Sequence, residues 1–460
     1  MTVKKLLSNG LLYSIGNILI QGMGFFTLPI YTRLMPKEAF GSFNLFLSWV
    51  SILAIILGCQ TAGTLSIAKL KYASDYDAYS SHAMSVSLLI STGVGASIYV
   101  FSDFFMRLFS CDQTGLLMLV LQSVASYVLG FMGQYFIQKQ EATKSLMISA
   151  ITTFLTIVLS VAFLITWASP FLARVMGLFI SYALVSICSL FYLYRQSGIV
   201  FKREYLYATL SWASPLIFQG LGHVLLNQVD RVMIGHFLGI EEVALYSFGY
   251  SLGLIIQVIL MSMTTVWAPW FFQEKKKKNS ELSKISHYYI GIGLFLTLGY
   301  LTIFPEVSMI MGGKSYATAN TFIPYIILAY FFWFLYTYPI NIQYYHENTK
   351  LIPIGTLFAT FVNYVLNVFL IPIYGIMGAA VATLLAYLAL FLFQHGISKK
   401  VYHYTEVGMR QYVLVLCIAI GYAILMTLWI SYPIYRYVSL GLVSIGVAIA
   451  LKDAVKIWKS

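Results

Sequence analysis

The chain has 460 residues, of which 60% are hydrophobic and only 10% charged, with a net charge of +12 and a mean hydropathy of +0.81. A soluble domain carries about a quarter charged residues, so the composition excludes a string of water-soluble catalytic domains. The basic residues are scattered and form no single patch, which argues against nucleic acid as a partner and for anionic lipid headgroups.

Apolar stretches of about twenty residues, enough to cross a hydrocarbon core of roughly 30 Å, recur along the chain. The first six are expected near 11–32, 40–62, 82–102, 115–137, 146–167 and 171–193. A second six follow near 211–236, 243–270, 286–304, 321–343, 351–371 and 376–396, and a last pair near 411–430 and 433–451. The sequence therefore predicts an all-α polytopic membrane protein of about 14 transmembrane helices. Lys4 and Lys5 precede an uncleaved first helix, since the apolar run is too long for a secretory signal and no small-residue cleavage site follows. With the N-terminus inside, about 21 of the 28 basic residues fall in cytoplasmic segments, Lys275 to Lys278 among them. One helix more or fewer would scramble that bias, so both termini are read as cytoplasmic. Cys59, Cys111, Cys188 and Cys417 are far apart and form no CxxC pair, which argues against disulfides and metal sites.

The chain also repeats itself. Arg33 to Gly41 is matched in pattern by His236 to Ala244, Glu141 to Lys144 by Glu347 to Lys350, and Phe163-Leu164-Ile165 by Phe369-Leu370-Ile371. These matches keep their order and a nearly constant offset of roughly 200 residues, which implies two six-helix lobes, 1–203 and 204–400, followed by a helix pair at 401–460. An even number of helices per lobe gives both the same orientation in the membrane, with a transport path expected between them.

An ionisable side chain at a helix centre costs about 2.5–3.5 kcal/mol on the insertion scale, so few residues can line such a path. His223, Asn227 and Asp230 share one face of the seventh helix beside Arg231. They read either as a functional stripe or as a structural ion pair, Asp230 with Arg231, reaching interfacial water. Asn17 and Gln21 share a face of the first helix with Gly24, and Arg33 stands at its outer end, either snorkelling or binding phosphate. Arg174 at the start of the sixth helix has the same two readings. Glu38 and Glu241, equivalent in the repeat, are expected to cap the helices they open, and Asn363 and Asn367 to hydrogen-bond across helices. Some of the many Tyr and Trp must lie away from the interfacial belts.

Catalytic motifs do not appear. Gly313-Lys314-Ser315 has Ser308 where a P-loop needs its first glycine, and His346-Glu347 is followed by Lys350 where a zinc protease needs histidine. No cofactor is called for.

Three segments carry a family resemblance: Pro29 to Gly41, Asp230-Arg231 leading to Gly235 and Tyr246, and Gly312 to Tyr316. In that order they resemble the bacterial polysaccharide-unit flippases of the Wzx type, within the multidrug/oligosaccharidyl-lipid/polysaccharide exporter superfamily. The resemblance covers essentially the whole chain and implies two six-helix lobes around a central cavity. It also implies the cargo, an undecaprenyl-pyrophosphate-linked oligosaccharide repeat unit moved to the outer leaflet of the bacterial plasma membrane for capsule, O-antigen or exopolysaccharide synthesis. A polysaccharide polymerase or chain-length regulator would be a partner. On that reading Arg33, Arg174 and Arg231 compensate the pyrophosphate, Asn17, Gln21, His223 and Asn227 contact the head group, and Asp230 couples an ion. A peptidoglycan-precursor flippase, a multidrug antiporter of the same superfamily, and a membrane glycan polymerase or ligase stay open as alternatives.

Overall fold

A computed structural model describes residues 25–277, 281–348, 350–404 and 406–458. Every regular element among them is helical, because a backbone in hydrocarbon must satisfy its own hydrogen bonds. The chain forms two compact units, Met1–Val232 and Met233–Ser460.

The N-terminal unit contains helix α1 (25–34), α2 (Lys37–Gly58), the short α3 (Leu65–Lys71), α4 (Tyr76–Val100), the short α5 (Ser102–Phe109), α6 (Gln113–Gln138), α7 (Ala142–Thr166) and α8 (Pro170–Ser197). Helix α9 (Arg203–Phe237) follows, and the unit boundary falls inside it. The compact unit thus runs past residue 203 because α9 bonds to earlier helices: Thr209 Oγ1 donates to Tyr79 Oη at 3.1 Å, and Gln228 Oε1 accepts from Ser48 Oγ at 3.0 Å. The second unit contains α10 (Ile240–Lys276), α11 (Leu282–Gly312), α12 (Ile323–Tyr345), α13 (Leu351–Tyr374), α14 (Ile376–Tyr402), α15 (Met409–Leu428) and α16 (Pro433–Trp458).

Eleven described helices are long and apolar enough to cross a membrane. Of the remaining three expected positions, the first lies mostly outside the described residues, with α1 at its end, and the others are held by the 35-residue α9, whose apolar run is broken by its polar stripe, and the 26-residue α16. The helix starts follow local chemistry. Asp112 caps α6 by accepting from the Gly115 amide at 2.8 Å, and Ser169 precedes Pro170 at the first position of α8. Glu38 and Glu241 sit in the first turns of α2 and α10, where the helix dipole favours a carboxylate, while Pro36 and Gly239 occupy the cap positions.

The repeat reappears as packing. In the first unit α2 packs on α6, α6 on α8 and α7 on α8; in the second α10 packs on α12, α12 on α14 and α13 on α14. The matched segments occupy matching places. Glu141, the first residue of its segment, stands at the N-cap position of α7 and Lys350, the last residue of its counterpart, at that of α13, and Phe163 and Phe369 lie in the last two turns of the same two helices. Helix α12 is almost wholly buried at the centre of its unit, whereas α7 exposes Phe154, Val158 and Ile165 as a lipid-facing helix does.

Small residues let helices touch within the chain. A Cβ on Gly378 would meet the Leu370 carbonyl oxygen, and one on Gly177 would lie 2.6 Å from the Ser160 backbone. Buried tyrosines away from the interface fill both cores: Tyr79, Tyr135, Tyr246 and Tyr330 are at most 1% exposed. Tyr300 Oη donates to the Leu252 carbonyl at 2.7 Å, consistent with the need of a buried phenol for a partner. Asn363 and Asn367 are both fully buried, and Asn367 Nδ2 donates to Asn363 Oδ1 at 3.1 Å along α13.

Helix α16 is fastened to α11 by Arg436, which is 2% exposed and grips Glu306 with both terminal nitrogens, Nη1 at 2.9 Å from Oε2. The same Nη1 donates to the Thr302 carbonyl. Arg436→Ala is expected to destabilise the second unit by about 2 kcal/mol, less than a fully buried pair because Glu306 stays partly solvated. A lowered Tm in nanodiscs, partly recovered by Arg436→Lys, is the expected readout; an unchanged Tm would remove the fastening role.

Candidate functional site

The strongest polar stripe of the sequence lies on α9, and its members have different surroundings. Asp230 is fully buried and Arg231 is 7% exposed, while His223, two turns earlier, is exposed. Asn227 turns its amide back along the helix, Nδ2 donating to the His223 carbonyl at 2.7 Å. Arg231 donates from Nη1 to the Asn227 carbonyl at 2.8 Å and to Gln228 Oε1 at 3.1 Å. Gln228 Oε1 also accepts from Ser48 on α2. These two acceptors are neutral groups of its own helix and fix the position of the guanidinium. Ser48 and Gln228 gave no signal in the sequence, being ordinary polar residues until the fold pairs them.

Arg174 stands elsewhere in the same unit. Its guanidinium carbon lies 3.5 Å from the Tyr31 ring centroid and 4.7 Å from that of Phe43, so α1 and α2 sandwich it through their aromatic faces. Its Nη1 and the Tyr31 and Ser160 hydroxyls are buried and interact with one another, none of them through a hydrogen bond of full geometry. Phe43 and Ser48 are five residues apart on α2, about 140° around its axis. Arg174 and Arg231 therefore approach α2 from different sides. Arg33, at the end of α1, is exposed. Asn17 and Gln21 lie outside the described residues.

A second feature escaped a search directed at charges. Within the N-terminal unit α2, α6, α7 and α8 line a half-open cavity of about 520 Å3. One face of α6 contributes Gln122, Ser126, Gly130, Gly133 and Ile137, and α7 contributes Ser145, Ser149, Thr152 and Thr153. Gly130 has open space where a Cβ would stand. No Asp, Glu, Lys, Arg or His lines the cavity. Its signal was legible as a hydroxyl stripe at helical spacing, Ser145, Ser149, Thr152, Thr156 and Ser160 along α7.

Comparison with known proteins adds three findings. Residues 6–275 match the family described as "Polysaccharide biosynthesis protein". Among curated proteins, "Lsg locus putative protein 1" of Haemophilus influenzae is 22% identical over 337 residues, spanning 70% of this chain and 81% of that protein. An uncharacterized membrane protein of Methanocaldococcus jannaschii is 21% identical over 54% of this chain and 50% of its own length. Among solved structures, "Lipid II flippase MurJ, inward closed conformation" superposes with a TM-score of 0.72 at 14% identity, covering 97% of this chain and 100% of that one. An inward-facing multidrug resistance MATE family transporter of the MOP superfamily superposes with a TM-score of 0.63 at 12% identity, covering 90% and 99%. These likenesses show the fold alone, which the chain shares with both proteins.

Proposed function

Since this chain belongs to the polysaccharide biosynthesis protein family, we propose that it is a flippase, not an enzyme, carrying undecaprenyl-pyrophosphate-linked oligosaccharide repeat units from the inner to the outer leaflet of the bacterial plasma membrane. The cell-surface polysaccharide is then assembled outside. The observation that carries this reading is Arg174, a cation held between the Tyr31 and Phe43 rings whose Nη1 is buried and makes no hydrogen bond of full geometry. Such a group is expensive to keep, and an anionic ligand able to enter the membrane region would complete it. A pyrophosphate on a lipid tail is such a ligand. Guanidinium keeps its charge when buried and pairs with phosphate oxygens.

Because Arg174 and Arg231 approach α2 from different sides, they are assigned to successive positions of the head group. Arg33, exposed at the helix end, meets it at the membrane face. Asp230, fully buried beside Arg231, is the candidate for an ion-coupled step, in which gain and loss of its charge would bias the two access states. The distribution of Lys and Arg supports cytoplasmic termini.

The test is deletion of the gene in its host, with a membrane-impermeant glycan-modifying probe applied to intact and opened cells. Lipid-linked glycan protected in intact cells and exposed on opening, with surface polysaccharide lost and growth retained, is the expected result. Arrest of growth with loss of cell wall would give the peptidoglycan-precursor reading in its place, and altered drug sensitivity with normal surface glycan the antiporter reading.

A further inference from the structure

We propose that the cavity inside the N-terminal unit is a subsite for a neutral sugar of the cargo, and that it rejects acidic sugars. The inference rests on the flippase reading above for its cargo and on donor and acceptor accounting for its chemistry. The volume, about 520 Å3, lies within the range of small-molecule sites.

Four of the lining hydroxyls have committed their protons to their own helices. Ser51 donates to the Leu47 carbonyl at 2.8 Å, Ser149 to Ser145 at 3.2 Å, Thr152 to Ile148 at 2.7 Å and Thr153 to Ser149 at 2.8 Å. Each oxygen therefore turns lone pairs toward the cavity. Gln122, 1% exposed, spends its Nε2 on Ser126 Oγ at 3.2 Å, and its Oε1 is buried with no partner. The wall is thus rich in acceptors, with the Gln134 amide and the Tyr182 hydroxyl adding donors, and carries no formal charge, so it suits a neutral ligand that both donates and accepts.

Three ligand classes can be compared on that basis. A metal cation needs six or more oxygens at about 2.3–2.6 Å, and this cavity is far too large to close around one. An organic cation would find no carboxylate, and the carboxylate of an acidic sugar no cation, to offset its desolvation. A neutral sugar offers several hydroxyl donors, an N-acetyl sugar also an amide N–H, and each satisfies an acceptor without burying charge. Tyr182, also in the lining, supplies an aromatic ring.

The test uses the full-length protein in nanodiscs and saturation-transfer NMR with glucose, galactose and N-acetylglucosamine as neutral probes, and glucuronic and N-acetylneuraminic acids as acidic ones. At least one neutral sugar is expected to receive saturation and both acids none. Gly130→Leu, which points a side chain into open space, should weaken that binding by at least about tenfold, Gly130→Ala should keep it, and Gln122→Leu should weaken it severalfold. The proposal is overturned if no neutral sugar binds, if acids bind as well, or if Gly130→Leu binds like the unsubstituted chain. A deletion strain that traps glycan inside while these binding results fail leaves the flippase standing without the subsite. Binding as expected in a protein whose deletion leaves surface glycan intact overturns the flippase reading and leaves a sugar site.

Discussion

Arg231→Ala should reduce flipping at least about hundredfold while the protein still inserts and folds, because truncating a buried, hydrogen-bonded charge in a binding site costs 2–5 kcal/mol or more. The hydrogen bonds around it make the separation from stability possible. Removing the guanidinium leaves Gln228 Oε1 with Ser48 as donor, and the Asn227 carbonyl belongs to a continuing helix. Arg231→Lys should recover only part of the activity, since ammonium keeps the charge but loses the planar fork that fits phosphate. The measurement is exposure of lipid-linked glycan at the outer face of cells expressing each variant at matched levels. Normal flipping by a well-inserted Arg231→Ala protein would remove Arg231 from the site.

The membrane topology was legible because the bilayer imposes a coarse rule on every span, and the rule is written in length and hydropathy. Helices α2, α4 and α6 to α8 appear where their apolar runs lie, and even α9 was visible through its polar stripe. The short helices α3 and α5 were not, since seven or eight residues leave no spanning signature. The repeat was legible from three short matches because they fall at helix starts and ends, where turn and cap chemistry constrains the residues. The arginines were found by their cost in hydrocarbon, but not their arrangement. That Phe43 and Ser48 turn Arg174 and Arg231 to different sides of α2 depends on tertiary contacts made by residues of no individual distinction. The cavity was overlooked for a related reason: serine and threonine are cheap in a membrane helix, where they bond back to their own carbonyls, so a hydroxyl stripe reads as filler until a facing glycine pair opens space beside it.

Arg174→Leu should separate function from stability in the opposite sense to an ordinary core substitution. Its Nη1 meets only the neutral Tyr31 hydroxyl, without a hydrogen bond of full geometry, so truncation leaves no charge behind, and replacing a buried charge by an apolar group of similar reach is often neutral or stabilising by 1–4 kcal/mol. Against this stands the loss of contact with the Tyr31 and Phe43 faces, worth about 2 kcal/mol when desolvated. Leucine restores most of the packing on those rings, so the net expectation is a Tm in nanodiscs at or above that of the unsubstituted chain. Flipping should nevertheless fall by about tenfold or more, since the head group loses a cationic donor in its path. A core residue with no binding role would show a lowered Tm with flipping lost only in proportion to folded protein. Unchanged flipping by the Leu variant would mean that the uncompensated guanidinium serves the packing of α1, α2 and α8 alone, and the pyrophosphate would then have to be met by Arg231 without it.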